Sequence, residues 1–99
     1  MKVRLINRGT KGELLLEGRL DAVTSQEVEK IFNDMAQRFD CVVLNMADLT
    51  YISSAGLRVI KLLHMKMRKK NGELLLINVN KMVMEVFEMT GFVGLLKIQ

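Results

Sequence analysis

Two short apolar runs, Cys41-Val42-Val43-Leu44 and Leu74-Leu75-Leu76-Ile77, stand between stretches whose apolar residues recur every three or four positions. Runs of this length without alternation suit strands covered on both faces. Such strands alternating with amphipathic helices build a largely parallel sheet. The helix before the first run is the best signalled. Thr24 and Glu27 have capping-box spacing, and Val23 and Val28 hold the staple positions around that cap. Val28, Ile31, Phe32, Met35 and Phe39 then trace one stripe, so the helix is expected to end near Phe39 or Asp40.

The rest of the chain follows the same grammar. Lys2–Asn7 and Glu13–Glu17 read as strands of a hairpin around Arg8-Gly9-Thr10-Lys11-Gly12, and Gly18-Arg19-Leu20-Asp21 as a loop into the first helix. A second helix is predicted from about Ala55 to Lys70. Leu57, Ile60, Leu63 and Met67 form its apolar stripe, with Lys69 and Lys70 at its negative dipole end and Asn71-Gly72 as the stop. Val79, Met82, Val83, Val86 and Phe87 make a third stripe closed by Thr90-Gly91, and Leu95–Ile98 forms a short last strand. The expected architecture is α/β, a single domain over residues 1–99, with a mixed, mostly parallel sheet in the order β-β-α-β-α-β-α-β.

Composition narrows the function classes. With 99 residues, 49% of them apolar, the chain has the makeup of one small globular domain. No apolar stretch approaches the roughly 20 residues of a membrane span, and the first residues lack a signal-peptide core, so a cytoplasmic protein is expected. The single Cys41 makes no internal disulfide and reads as a small core residue. The net charge of +4 is unevenly spread, with six cations and no anion from Arg58 to Lys70. That stripe raises a nucleic-acid binder as one reading. Aromatic residues are only 5%, too few for stacking platforms, and no direct nucleic-acid partner is expected.

A search for catalytic sets finds none. His64 is the only imidazole and sits among cations as a surface residue, and no phosphate-binding glycine loop occurs. No enzymatic activity, cofactor or metal is expected. The eight Met residues mostly lie on helical apolar stripes as core filling, with a few left as adaptable surface. One segment stands out, Asp48-Leu49-Thr50-Tyr51-Ile52-Ser53-Ser54-Ala55-Gly56-Leu57, between a buried strand and the second helix. Two consecutive hydroxyls at a helix start have a structural use as caps. The same position suits a phosphorylation switch, because free amides and the positive dipole end stabilise an anion there. Gly56 and Ala55 keep the mouth of the turn low enough for a partner to approach the backbone.

At these residues the sequence resembles the STAS domains, specifically the small bacterial anti-sigma factor antagonists (anti-anti-sigma factors). Asp48–Leu57 fits their signature, approximately D-[LF]-[ST]-x-[IVM]-[DS]-S-[STA]-G-[LM]. Gly18-Arg19-Leu20-Asp21 is similar to their G-x-L-D segment before the first helix. Val43-Leu44-Asn45-Met46 resembles the strand entering the signature, and Phe87-Glu88-Met89-Thr90-Gly91-Phe92 the end of the third helix. The resemblance implies phosphorylation at Ser54, two residues before the signature glycine. Ser53 is the second candidate, standing where the family often has Asp. It implies a partner surface of Asp21, Ser53, Ser54, Ala55, Gly56 and Arg58, with Asp48 and Thr50 acting locally in structure.

By that resemblance the unphosphorylated chain binds an anti-sigma factor that is also a serine kinase and so releases a sigma factor. Phosphorylation switches it off, and a serine phosphatase resets it. The alternative within the family is a STAS scaffold or regulatory subunit of a transporter or sensory assembly, never phosphorylated, in which the signature serine is a cap.

Overall fold

The computed structural model describes residues 1–99. In chain order it forms β1 (Lys2–Arg8), β2 (Lys11–Leu20), α1 (Thr24–Arg38), β3 (Cys41–Ile52), α2 (Ser54–Lys69), β4 (Glu73–Ile77), α3 (Lys81–Thr90) and β5 (Lys97–Ile98). A 3-10 turn at Phe92–Gly94 precedes β5. This is the order that the periodicity predicts. The strands lie side by side as β1-β2-β3-β4-β5, with β1 antiparallel to β2 and every later neighbour parallel. Crossovers between parallel strands are right-handed. Three of them stepping in one direction place all three helices on one face of the sheet.

Burial follows from that placement. Leu14 and Leu16, Val42 and Leu44, and Leu74 and Leu76 point into a core shared with Phe32, Ile60, Leu63 and Phe87 of the helices. Their strand neighbours Leu15, Val43 and Leu75 lie outside that core. The expectation that Cys41–Leu44 is covered on both faces is therefore corrected, since helices cover one face only. Val43 is still only 2% exposed, flanked in register by Glu13 and Leu75. Cys41 falls on the uncovered face and is half-buried rather than a core residue. Partial burial, with Glu73 nearby, pushes its thiol pKa up.

β3 runs well past the apolar segment that signals it. Pairing with β2 moves from Leu15–Asn45 to Glu17–Asp48, then from Gly18–Leu49 to Arg19–Tyr51, so β3 carries an extra residue at each of two bulges. Its buried positions there, Met46, Leu49 and Ile52, fall three apart instead of two. Gly18 has φ +108°, a conformation open to little but glycine. The hydroxyl of Thr50 donates to the Gly18 carbonyl at 3.0 Å and fixes the second bulge. Gly18-Arg19-Leu20 thus belongs to β2 rather than to a loop.

The ends of the helices hold further corrections. Lys70 does not serve its own helix alone, because its ammonium donates to the carbonyls of Ala36 at 2.8 Å and Phe39 at 3.0 Å, closing the C-terminus of α1. On α3, Val83 and Phe87 are buried but Met82 is 48% exposed. Met65 and Met89 are exposed as well. These are the methionines left over as adaptable surface.

Candidate functional site

Because β2, β3 and β4 are parallel, their carboxyl ends share one edge of the sheet, and α1, α2 and α3 all begin there. Open α/β sheets bind their ligands at this edge. The Ser53 amide donates to the Leu20 carbonyl at 2.9 Å, so the last residue of β2 is tied to the entrance of α2. The signature segment and the Gly18–Asp21 segment meet through this bond.

The two serines are not equivalent. Ser53 is the N-cap of α2: its backbone is extended and its hydroxyl oxygen accepts from the Gly56 amide at 3.2 Å. That bond satisfies one of the amides a helix start leaves free. Ser54 is the first helical residue and is exposed, and Ala55 beside it is half-buried. Gly56 is buried, and a Cβ there would lie 2.8 Å from Leu20 Cγ and 2.9 Å from the Leu20 carbonyl oxygen. The room that Gly56 makes is therefore taken by Leu20, not left for a partner. Arg58, one turn on, is exposed and reaches Glu29 of α1 at 3.5 Å.

Asp21 starts α1. Its Oδ1 accepts from the amides of Val23 and Thr24, both at 3.0 Å, while its own amide donates to the Thr24 hydroxyl at 2.9 Å. This is a capping box made by Asp21 and Thr24. It replaces the expected pair of Thr24 and Glu27, and Val23 is 71% exposed rather than stapled against Val28. The Thr24 amide in particular holds the Asp21 carboxyl below the usual carboxylate range. The carboxylate accepts only at Oδ1, from the Val23 and Thr24 amides and the Thr24 hydroxyl, which leaves Oδ2 without a partner in the chain.

Other expected residues lie elsewhere. Asp48 is exposed and lines a cleft of about 380 Å³ with Lys2, Arg4 and Glu17, away from the α2 entrance. Thr50 acts at the Gly18 bulge. His64 is half-buried rather than a surface residue, and its Nε2 is shielded from solvent without a hydrogen-bond partner. Burial, with Arg68 next, depresses its pKa. No group of three or more His, Cys, Asp or Glu side chains is placed to hold a metal ion.

Sequence reasoning missed a feature beside the serines. Tyr51, Ile52, Met82, Val83 and Val86 line an apolar depression of about 150 Å³ where β3 meets the start of α3. Asn80 caps α3 through the Val83 amide and donates to the Leu49 carbonyl at 2.7 Å, which fixes that junction. The Arg19 guanidinium stacks 4.1 Å from the centre of the Tyr51 ring. Met82 and Val86 are legible as apolar positions, but nothing in a helical stripe tells its edge from its centre.

The STAS domain family model matches residues 6–99. An anti-sigma factor antagonist of Bordetella bronchiseptica, BtrV, is 39% identical over 80 residues, covering 77% of this chain and 69% of the relative. The anti-sigma F factor antagonist of Paenibacillus polymyxa is 32% identical over 85 residues, covering 84% and 73%. Among solved structures, an anti-sigma factor antagonist from Thermotoga maritima superposes with a TM-score of 0.90 at 19% identity, over 97% of this chain and 84% of that one. The phosphorylated form of the Bacillus cell-fate determinant SpoIIAA superposes with a TM-score of 0.79 at 15% identity, over 99% and 91%. The chain is a STAS domain and belongs to the anti-sigma factor antagonist family.

Proposed function

We propose that this chain is a partner switch controlled at Ser54. Unmodified, it binds an anti-sigma factor that is also a serine kinase, and the sigma factor is released. The kinase transfers the γ-phosphoryl group of ATP to Ser54 Oγ. The hydroxyl proton is given up, ADP leaves and the complex dissociates. A serine phosphatase hydrolyses the phosphoserine, restoring the hydroxyl and freeing inorganic phosphate. The chain itself supplies no catalytic group, cofactor or metal, and it works where those partners are, in the cytoplasm. The partner surface comprises Asp21, Ser53, Ser54, Ala55 and Arg58, with Gly56 beneath it.

The observation that supports this reading best is the division between the serines. Ser53 is occupied as the cap, whereas Ser54 is exposed at the first residue of α2. To be phosphorylated, Ser53 would have to bring a half-buried hydroxyl away from the Gly56 amide. A phosphate on Ser54 leaves that bond in place and sits at the positive end of the helix dipole. The names of the Bordetella and Paenibacillus relatives point to an anti-sigma factor as partner, and SpoIIAA is a protein of this fold that is known in a phosphorylated form.

Switching needs binding to weaken by about 10²–10³-fold, roughly 3–4 kcal/mol at about 1.4 per decade. A phosphate placing about −1.5 to −2 charges and extra bulk where a neutral hydroxyl was accommodated supplies that scale without a change of fold. The test uses wild-type chain and Ser54→Glu as baits in native lysate, with captured proteins identified by mass spectrometry. A kinase-like anti-sigma factor held by wild type and lost by the folded variant is the expected result. Identical partner sets on both baits would overturn the switch and favour the scaffold reading.

A further inference from the structure

Arg58 follows Ser54 by four residues on α2, so the two share a face one turn apart, and both are exposed. Helical side chains lean toward the N-terminus of their helix. That lean puts the turn opened by Ser54 within reach of the Arg58 guanidinium. In the unmodified chain it has one ionic partner, Glu29 on α1, at 3.5 Å, with side chains 59% and 35% exposed. A single contact of that length between solvated charges holds weakly. The first turn of α2 contains no acidic residue to compete for it.

Resting on the reading that Ser54 is the modified residue, we propose that Arg58 is a phosphate clamp, its guanidinium leaving Glu29 and closing on the Ser54 phosphate. A phosphoserine offers three acceptor oxygens and nearly two charges, and the planar fork of Arg meets a phosphate with two parallel hydrogen bonds. The carboxylate of Glu29 offers one long contact. Closing the clamp changes the partner-facing edge in two ways. It adds an anion at Ser54 and withdraws the cation at Arg58. It also removes an ionic tie between α1 and α2 and leaves Glu29 unpaired. The modification thus rearranges the charges of this edge, with Glu29 released and Arg58 spent on the phosphate, as well as adding to them.

The test installs phosphoserine at position 54 during synthesis, with no kinase present, and titrates the phosphate by ³¹P NMR. The second pKa of the phosphate is expected to be lower by about half a unit or more in the wild-type background than in Arg58→Gln. Arg58→Lys should fall between them, and Glu29→Gln, which removes the competitor, at or below wild type. Equal values in wild type and Arg58→Gln would overturn the clamp. Arg58 is exposed, so the variants should melt with the wild type. Equal titrations leave the switch at Ser54 standing. A chain that is never phosphorylated by its partners fails the switch and leaves the titration result intact.

Discussion

At the scale of single residues, Asp21 and His64 set how the fold responds to acid. The Asp21 carboxyl is held below its ordinary value of 3.8, first by the Thr24 amide. A depressed carboxylate contributes stability above its unfolded pKa, and that stability is lost as pH falls through the folded value. His64 acts in a higher window. Burial lowers its pKa from the ordinary 6.5, so the unfolded chain takes up a proton before the folded one does. Stability is thus unaffected above pH 6.5 and declines as pH drops from there toward the folded value. Thermal melts across pH should show a decline beginning just below 6.5 that His64→Leu removes, and a second below 3.8 that Asp21→Asn reduces. Glu73, also depressed, first by its hydrogen bond to Lys97, adds a decline that begins higher, below its ordinary 4.5, and persists in Asp21→Asn. An unchanged profile in His64→Leu would contradict the assignment. That Asp21, Ser53 and Ser54 stand at the starts of helices is legible in the sequence. Which serine caps is not, because adjacent hydroxyls are equally able acceptors and the backbone of Ser53 decides between them.

At the scale of elements, the close approach of α2 to the end of β2 holds the site together, and Gly56 permits it. Alanine at that position gains about 1 kcal/mol of helix propensity. Its methyl group would sit 2.8 Å from Leu20 Cγ, 2.9 Å from the Leu20 carbonyl oxygen and 3.0 Å from Ile52 Cγ1. The carbonyl cannot move freely, because it accepts from the Ser53 amide. Overpacking of this kind costs about 1–3 kcal/mol, so Gly56→Ala should lower the urea midpoint by up to ~2 kcal/mol in net stability once the propensity gain is subtracted. A midpoint unchanged or raised would show that α2 shifts without cost. Element order and the three helices are legible because stripes and runs carry period information. The second half of β3 is not. Two bulges place Met46, Leu49 and Ile52 three apart, a spacing that signals no strand, so the signature reads as a loop when it is paired strand up to Ile52. The start of α1 at Thr24 is legible, but the pair that caps it is misread. Thr24 and Glu27 have the right spacing for a capping box, but Asp21 and Thr24 have the same spacing and form it.

At the scale of the whole molecule, parallel strands in sequential order put three helix starts on one edge and leave one sheet face without helices. The basic stripe from Arg58 to Lys70 is partly used within the chain. Arg58 pairs with Glu29, Lys66 bonds to Asn33, and Lys70 closes α1. With Lys66 and Lys70 engaged within the chain, the stripe is a weaker argument for nucleic acid than its composition suggests. No helix is long and apolar enough to cross a membrane. The most direct test of the switch is phosphoryl transfer in a purified system, combining this chain, the anti-sigma factor captured by it, and ATP. Intact mass and peptide mapping should find one phosphate, on Ser54, absent from Ser54→Ala, and the modified chain should no longer bind its partner. No transfer, transfer to Ser53, or undiminished binding by the phosphorylated chain would contradict the account.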